Sequence, residues 1–265
     1  MKRFCSYFTA LVAAVAALVV CVQLRAQEPV NVEPTVQDGW VWYDATKWPV
    51  ENKAWTDVDR YFARFPARAK ETIPGAVWNL SQDSAGEVIR FRANTDAIKV
   101  RYKLHKSGLS MPHMPATGVS GLDLYAWDDE VGAWRWAACT QPSKQEEEKV
   151  WIQGMKKKER DYMAYLPLYN GIDSLSIAVP EGAEFTPLSP RSDKPIVYYG
   201  TSIAHGGCAS RPGNAFTAML SRRLDIPVVN LGFSGNAHME IAIAELMGEV
   251  DARLFVLDAG PNMNA

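Results

Sequence analysis

Pro195-Ile196-Val197-Tyr198-Tyr199-Gly200-Thr201-Ser202-Ile203 is an apolar run that stops at a glycine followed by two hydroxyl residues. A buried strand that delivers a serine onto a tight turn presents a nucleophile, so Ser202 is the first candidate for chemistry. The next residues alternate strand and helix. An amphipathic helix is predicted over about 214–224, with Phe216, Met219, Leu220 and Arg223 at helical spacing. A strand follows at 228–231, then a helix containing Ile241, Ile243, Ala244, Leu246 and Met247, and a third strand at 254–258. Wholly apolar strands alternating with helices predict a parallel sheet covered on both faces, with functional residues at the carboxyl ends of the strands. The three strand ends read Gly200-Thr201-Ser202, Gly232-Phe233-Ser234-Gly235-Asn236 and Gly260-Pro261-Asn262, and they are expected to meet at one rim.

Upstream, the pattern differs. From 36 to about 188 the chain is rich in Trp, Tyr and Val, with period-two alternation at 89–92, 98–104, 122–127, 134–136 and 174–179. Such strands in series predict an antiparallel β-sandwich. Asp128-Asp129-Glu130-Val131-Gly132 reads as a hairpin loop, and Asn170-Gly171 as a turn before another strand. The proline-flanked stretch 189–195 is the joint. Two domains are therefore expected, a sandwich over 27–190 and a sheet domain over 191–265.

Lys2 and Arg3 precede an almost uncharged apolar stretch at 8–22, and Ala26 follows as a small residue, which predicts a signal peptide over 1–26 and a periplasmic or secreted product. An uncleaved anchor, or a lipoprotein through Cys21, are the competing readings; no stable membrane insertion is expected after cleavage. Two cysteines, Cys139 and Cys208, lie outside this leader, too few for a disulfide framework, and their pairing is left open. The 265 residues are 48% hydrophobic and 22% charged, with a net charge of -2, which supplies no field for nucleic acid. The run Lys156-Lys157-Lys158 lies among acidic neighbours and reads as a solvated loop or helix face. No Cys/His spacing suits zinc, and neither a metal nor a cofactor is expected.

The three strand-end blocks resemble those of the SGNH hydrolases, the GDSL-like lipase and esterase superfamily. Gly200-Thr201-Ser202-Ile203 is similar to the first block, Asn230-Leu231-Gly232-Phe233-Ser234-Gly235 to the second, and Gly260-Pro261-Asn262-Met263 to the third. The resemblance implies an α/β three-layer, flavodoxin-like hydrolase fold. It implies Ser202 as nucleophile with its own amide in the oxyanion hole, a second amide from Gly232, and the Asn262 side chain as third donor. Thr201 and Met263 depart from the acidic residues usual at those places. Gly121-Leu122-Asp123-Leu124-Tyr125, preceded by Met111-Pro112-His113-Met114-Pro115-Ala116-Thr117-Gly118, resembles the Gly-x-Asp-Leu-Tyr signature of a β-sandwich module in front of secreted bacterial members.

The family's late Asp-x-x-His block does not occur after Ser202, so the catalytic Asp and His are not present in this chain, which is expected to be a fragment holding the first half of the hydrolase domain. A half-finished sheet would expose an apolar edge and invite association. His205, His238 and His113 are read as structural or surface residues rather than bases, and His105 as exposed. Asp123 is read as a structural hydrogen-bonding residue. Trp127, Trp134 and Trp136 are read as packing or inter-domain residues, with a sugar-stacking platform as the alternative. Two functions follow. One is a secreted serine esterase that deacylates carbohydrate or small esters through an acyl-serine; the other is a non-catalytic carbohydrate-binding or scaffold protein.

Overall fold

The computed structural model describes residues 27–263; the expected leader at 1–26 lies outside the described residues. Two five-stranded antiparallel sheets come first. One holds β1 (Thr35–Gln37), β2 (Trp40–Asp44), β4 (Ala97–Leu104), β7 (Glu146–Gln153) and β9 (Ile172–Pro180) in the order β1-β2-β9-β4-β7. The other holds β3 (Val88–Asn94), β5 (Asp123–Asp128), β6 (Ala133–Cys139), β8 (Glu159–Tyr165) and β10 (Glu184–Pro187) in the order β10-β3-β8-β5-β6. The predicted hairpin at 128–132 joins β5 to β6.

Period-two patterning decides what these sheets enclose. Ile98, Val100, Tyr102 and Leu104 of β4 point inward to meet Ile89, Phe91 and Ala93 of β3, with Phe91 stacked on Tyr162 at 5.0 Å and on Phe185 at 4.9 Å. β8 breaks the alternation, because Tyr162, Met163, Ala164 and Tyr165 are all buried. The second sheet is covered on both faces: Tyr125, Met163 and Tyr165 on its outer side pack against Ala215 and Ala218 of the following unit.

That unit is a three-stranded parallel sheet, β11 (Ile196–Gly200), β12 (Val228–Gly232) and β13 (Leu254–Asp258), in the order β12-β11-β13. Asn230 and Tyr198 look toward the helices at 202–205 and 216–224, since Asn230 Nδ2 donates to Ala204 O and Thr217 Oγ1, and the Tyr198 ring meets Phe216 edge-on. Val197, Tyr199, Val229 and Leu231 look the other way, toward the helix at 241–247.

The sequence division at 190 does not follow the packing on that second face. Trp55, Phe65, Ile73, Val77 and Trp78 lie in the stretch assigned to the sandwich, yet they share a core with Tyr199, Leu231 and Phe233. The chain between β2 and β3 carries a short helix, α1 (Gly75–Ser81), and leaves the sandwich to cover the parallel sheet; a second short helix, α2 (Ala116–Val119), precedes β5. β13 is the edge strand on the other side, with Leu254, Phe255 and Leu257 exposed.

Candidate active site

The parallel register aligns Gly200 with Gly232 and with Asp258, so the three strands end level and their loops emerge at one end of the sheet. After β11 the chain turns at Thr201 into a four-residue helix, α3 (Ser202–His205), which Gly206 stops at φ +113°. Ser202 sits at the first helical position and is partly exposed. Its carbonyl accepts from the amides of Gly206 and Gly207 at 3.1 and 2.7 Å, and from Tyr169 Oη at 3.4 Å. Its own amide, an orphan donor of the first turn, has no partner among the described residues.

Gly232 is where β12 passes behind α3. A Cβ there would lie 2.0 Å from His205 N and 2.4 Å from Ala204 C, so no larger residue fits. Its amide donates to Asn230 Oδ1 at 2.8 Å, and its carbonyl accepts from Arg64 Nη1 at 2.9 Å. Gly235, three residues on, stands in open space at φ +69°, exposed, and its amide donates to no group among the described residues. The turn after β13 returns to this loop: Asn262 Nδ2 donates to Asn236 O at 2.7 Å. Asn262 and the tip of the second loop are thus neighbours, while Gly232 lies deeper, with its amide engaged.

The sequence reading assigns no role to two residues that carry this geometry. Asn230 is a buried amide in an otherwise apolar strand, and that oddity was a readable signal. Arg64 was not readable, because its partners are carbonyls remote in sequence: Leu80, Asp83, Asn230 and Gly232. It also lies 4.8 Å from the Phe233 ring. Burial pulls the guanidinium down to about 10, where it is still charged near neutrality.

His205 is fully buried. Its Nε2 bonds Leu168 O at 2.6 Å, its ring stacks on Tyr169 at 4.2 Å, and Nδ1 has no partner among the described residues. Burial, and then the charge of Arg64, hold its pKa well below the ordinary histidine range. It is a neutral packing residue with no hydrogen bond to Ser202. His113 and His238 are exposed, and His105 is paired with Asp173 at 3.1 Å.

Asp123 of the Gly-x-Asp-Leu-Tyr stretch ties the two units together. Fully buried, it accepts from Trp136 Nε1 at 2.9 Å and from the Gly213 amide at 2.8 Å, with Arg211 Nη1 at 3.4 Å. Burial pushes its carboxyl up to about 6 against the pull of Arg211. The loop it holds begins just after α3 and leads into α4 (Phe216–Leu224). Cys139 and Cys208 are both free thiols; burial pushes that of Cys139 up to about 12, while Cys208 is exposed. Among the described residues no cluster of three or more His, Cys, Asp or Glu could hold a metal ion, and no helix is long and apolar enough to cross a membrane.

The family described as the GxDLY N-terminus of SGNH hydrolase-type esterases matches residues 40–185, more than half of the chain, and the GDSL-like lipase/acylhydrolase family matches residues 193–265. The chain belongs to the SGNH-type esterases that carry the GxDLY module. A crystal structure from Bacteroides ovatus described as a GDSL-like lipase is similar at 35% identity and TM-score 0.80, covering 84% of this chain and 65% of that one. The salicylyl-acyltransferase SsfX3 of a tetracycline biosynthetic pathway shares the fold, with 18% identity and TM-score 0.60 over 89% of this chain and 59% of that one. This chain therefore spans about three fifths to two thirds of the length of these two structures. No curated protein matches.

Proposed function

We propose that this chain supplies the nucleophile and oxyanion hole of a secreted serine esterase that deacylates carbohydrate or small esters. The observation that carries the proposal is the level ending of the three parallel strands, with Asn262 bonded into the second loop beside Gly235. On this reading Ser202 Oγ attacks the ester carbonyl, and the developing oxyanion accepts from the Ser202 amide, from the Asn262 carboxamide and from a second backbone amide. Gly232 was the expected source of that amide, but its N–H is spent on Asn230. The amide of Gly235, without a partner among the described residues, replaces it in the proposal, and Gly232 becomes the residue that lets β12 pass behind α3.

The general base belongs, in this proposal, to the Asp-x-x-His block of the family, which residues 193–265 do not contain. The parallel sheet is then the first half of a three-layer hydrolase domain, and the apolar surface of β13 continues into the rest of it. A missing base costs roughly 10²- to 10⁴-fold in rate, while oxyanion donors contribute roughly 3 to 4 kcal/mol each. The test is p-nitrophenyl acetate hydrolysis by this chain and its variants. Ser202→Ala is expected to fall to the buffer rate, and Asn262→Ala to lose about 10²-fold of the enzymatic increment. Equal rates for the parent and Ser202→Ala would remove Ser202 from the chemistry.

A further inference from the structure

Three tryptophans of the β5–β6 hairpin are not fully absorbed by the apolar cores; Trp136 is engaged by Asp123 and Arg211, which leaves Trp127 and Trp134 to account for. Trp127 belongs to none of the three cores, and Trp134 only borders the one between the second sheet and α4. Their rings meet edge to face with centroids 5.5 Å apart, and both remain partly open to solvent. They stand between two hollows. One, of about 440 Å³, has Arg90 and Arg191 in its lining and is walled by Asp161, Asp193 and Asp225; the other, of about 750 Å³, lies against Phe216 and Met219 of α4. Both tryptophans and Asp225 line both, and each volume falls within the range of small-ligand sites, about 300 to 1,000 Å³.

The charges select the class of occupant. The two arginines are committed to one buried carboxylate, Glu51, at 2.8 Å from Arg191 Nη2 and 3.3 Å from Arg90 Nη1. Arg191 also reaches Asp225 at 3.2 Å. Four carboxylates line the first hollow, Glu28, Asp161, Asp193 and Asp225, and three of them pair with Arg92, Arg253 and Arg191, so the arginines around the hollow are committed to carboxylates rather than offered to an anion. Asp161 accepts from Arg92 through both oxygens and Asp193 pairs with Arg253; both side chains stay partly exposed, and a carboxylate oxygen has a further lone pair with which to accept a hydroxyl hydrogen. The Arg90 guanidinium lies over one face of Trp134, 5.2 Å from the ring centre, and the remaining indole surface of Trp127 and Trp134 beside an acceptor-rich wall suits a ligand with apolar C–H faces, many hydroxyl donors and no negative charge.

The cleft is separate from the Ser202 rim. Ser189 to Asp193 lead into the start of β11 and Asp225 precedes β12, so these residues lie at the end of the parallel sheet opposite Ser202. We propose that the Trp127–Trp134 cleft is a binding site for neutral polysaccharide, an anchor independent of the catalytic rim. The proposal does not rest on the esterase reading.

The test is affinity electrophoresis of this chain in native gels containing arabinoxylan, glucomannan, mixed-linkage β-glucan or galactan, with polygalacturonate as the acidic comparison. At least one neutral polymer is expected to retard the protein and polygalacturonate is not. Trp127→Ala should weaken the retardation roughly tenfold or more, as loss of an aromatic anchor does. Trp127→Phe, which keeps an aromatic face and guards against misfolding, should restore part of it, and Ser202→Ala should bind as the parent does. Retardation by none of the neutral polymers, retention of full binding in folded Trp127→Ala, or binding of polygalacturonate alone would each overturn the proposal.

Discussion

Glu87 is a carboxyl sealed at the junction of the two units, with neither oxygen hydrogen-bonded among the described residues and Lys53 Nζ at 3.8 Å. Burial pushes it up to about 7, against the pull of Lys53. The unfolded chain releases this proton near the ordinary glutamate value of 4.5, so between 4.5 and 7 the folded state binds more protons and the contribution of Glu87 to stability falls as pH rises. Glu87→Gln removes that dependence. The variant is expected to be more stable than the parent at pH 8 by roughly 2 to 3 kcal/mol, with the gap closing toward pH 4.5, read by denaturant unfolding across that range. Asn230 shows the opposite solution for a buried polar group, since both ends of its carboxamide are satisfied by Ala204, Thr217 and Gly232.

At the scale of elements, the Gly-x-Asp-Leu-Tyr stretch is a joint. Asp123 opens β5 and reaches across to the Gly213 amide and Arg211, and Tyr125 lies under the guanidinium of Arg222, 3.9 Å from its ring. Gly213 is small because a Cβ there would come within 2.3 Å of Tyr125. The sandwich thereby holds the loop that connects α3 to α4. Asp123→Ala leaves the Gly213 amide and Trp136 indole without their acceptor and Arg211 without its charge partner. A loss of about 2 to 4 kcal/mol is expected in thermal unfolding, together with faster proteolysis in residues 206–215 than in the parent. Unchanged cleavage there would show that the loop holds itself.

Across the whole molecule, sequence legibility followed the reach of local pattern. The β4 strand and the three parallel strands were readable because alternation or continuous apolar runs state which faces are buried. Residues 55–78 were not, since Trp55, Phe65 and Trp78 have no period of their own and find their partners on a sheet that starts more than a hundred residues later. Ser202 and Asn262 are named from their blocks as candidates, and their roles belong to the proposed function. Between Gly232 and Gly235 the block alone does not choose, and the proposal of Gly235 rests on a hydrogen bond that occupies the Gly232 amide while the Gly235 amide has no partner among the described residues.

The central claim is that this arrangement makes Ser202 a nucleophile, and the most direct measurement is the site of covalent capture. The folded chain is incubated with excess fluorophosphonate, digested and mapped by mass spectrometry, beside Ser202→Ala. The account predicts one adduct on the peptide containing Ser202, absent from the variant and slowed in Asn262→Ala. No adduct, or an adduct of equal yield on another serine, would contradict it.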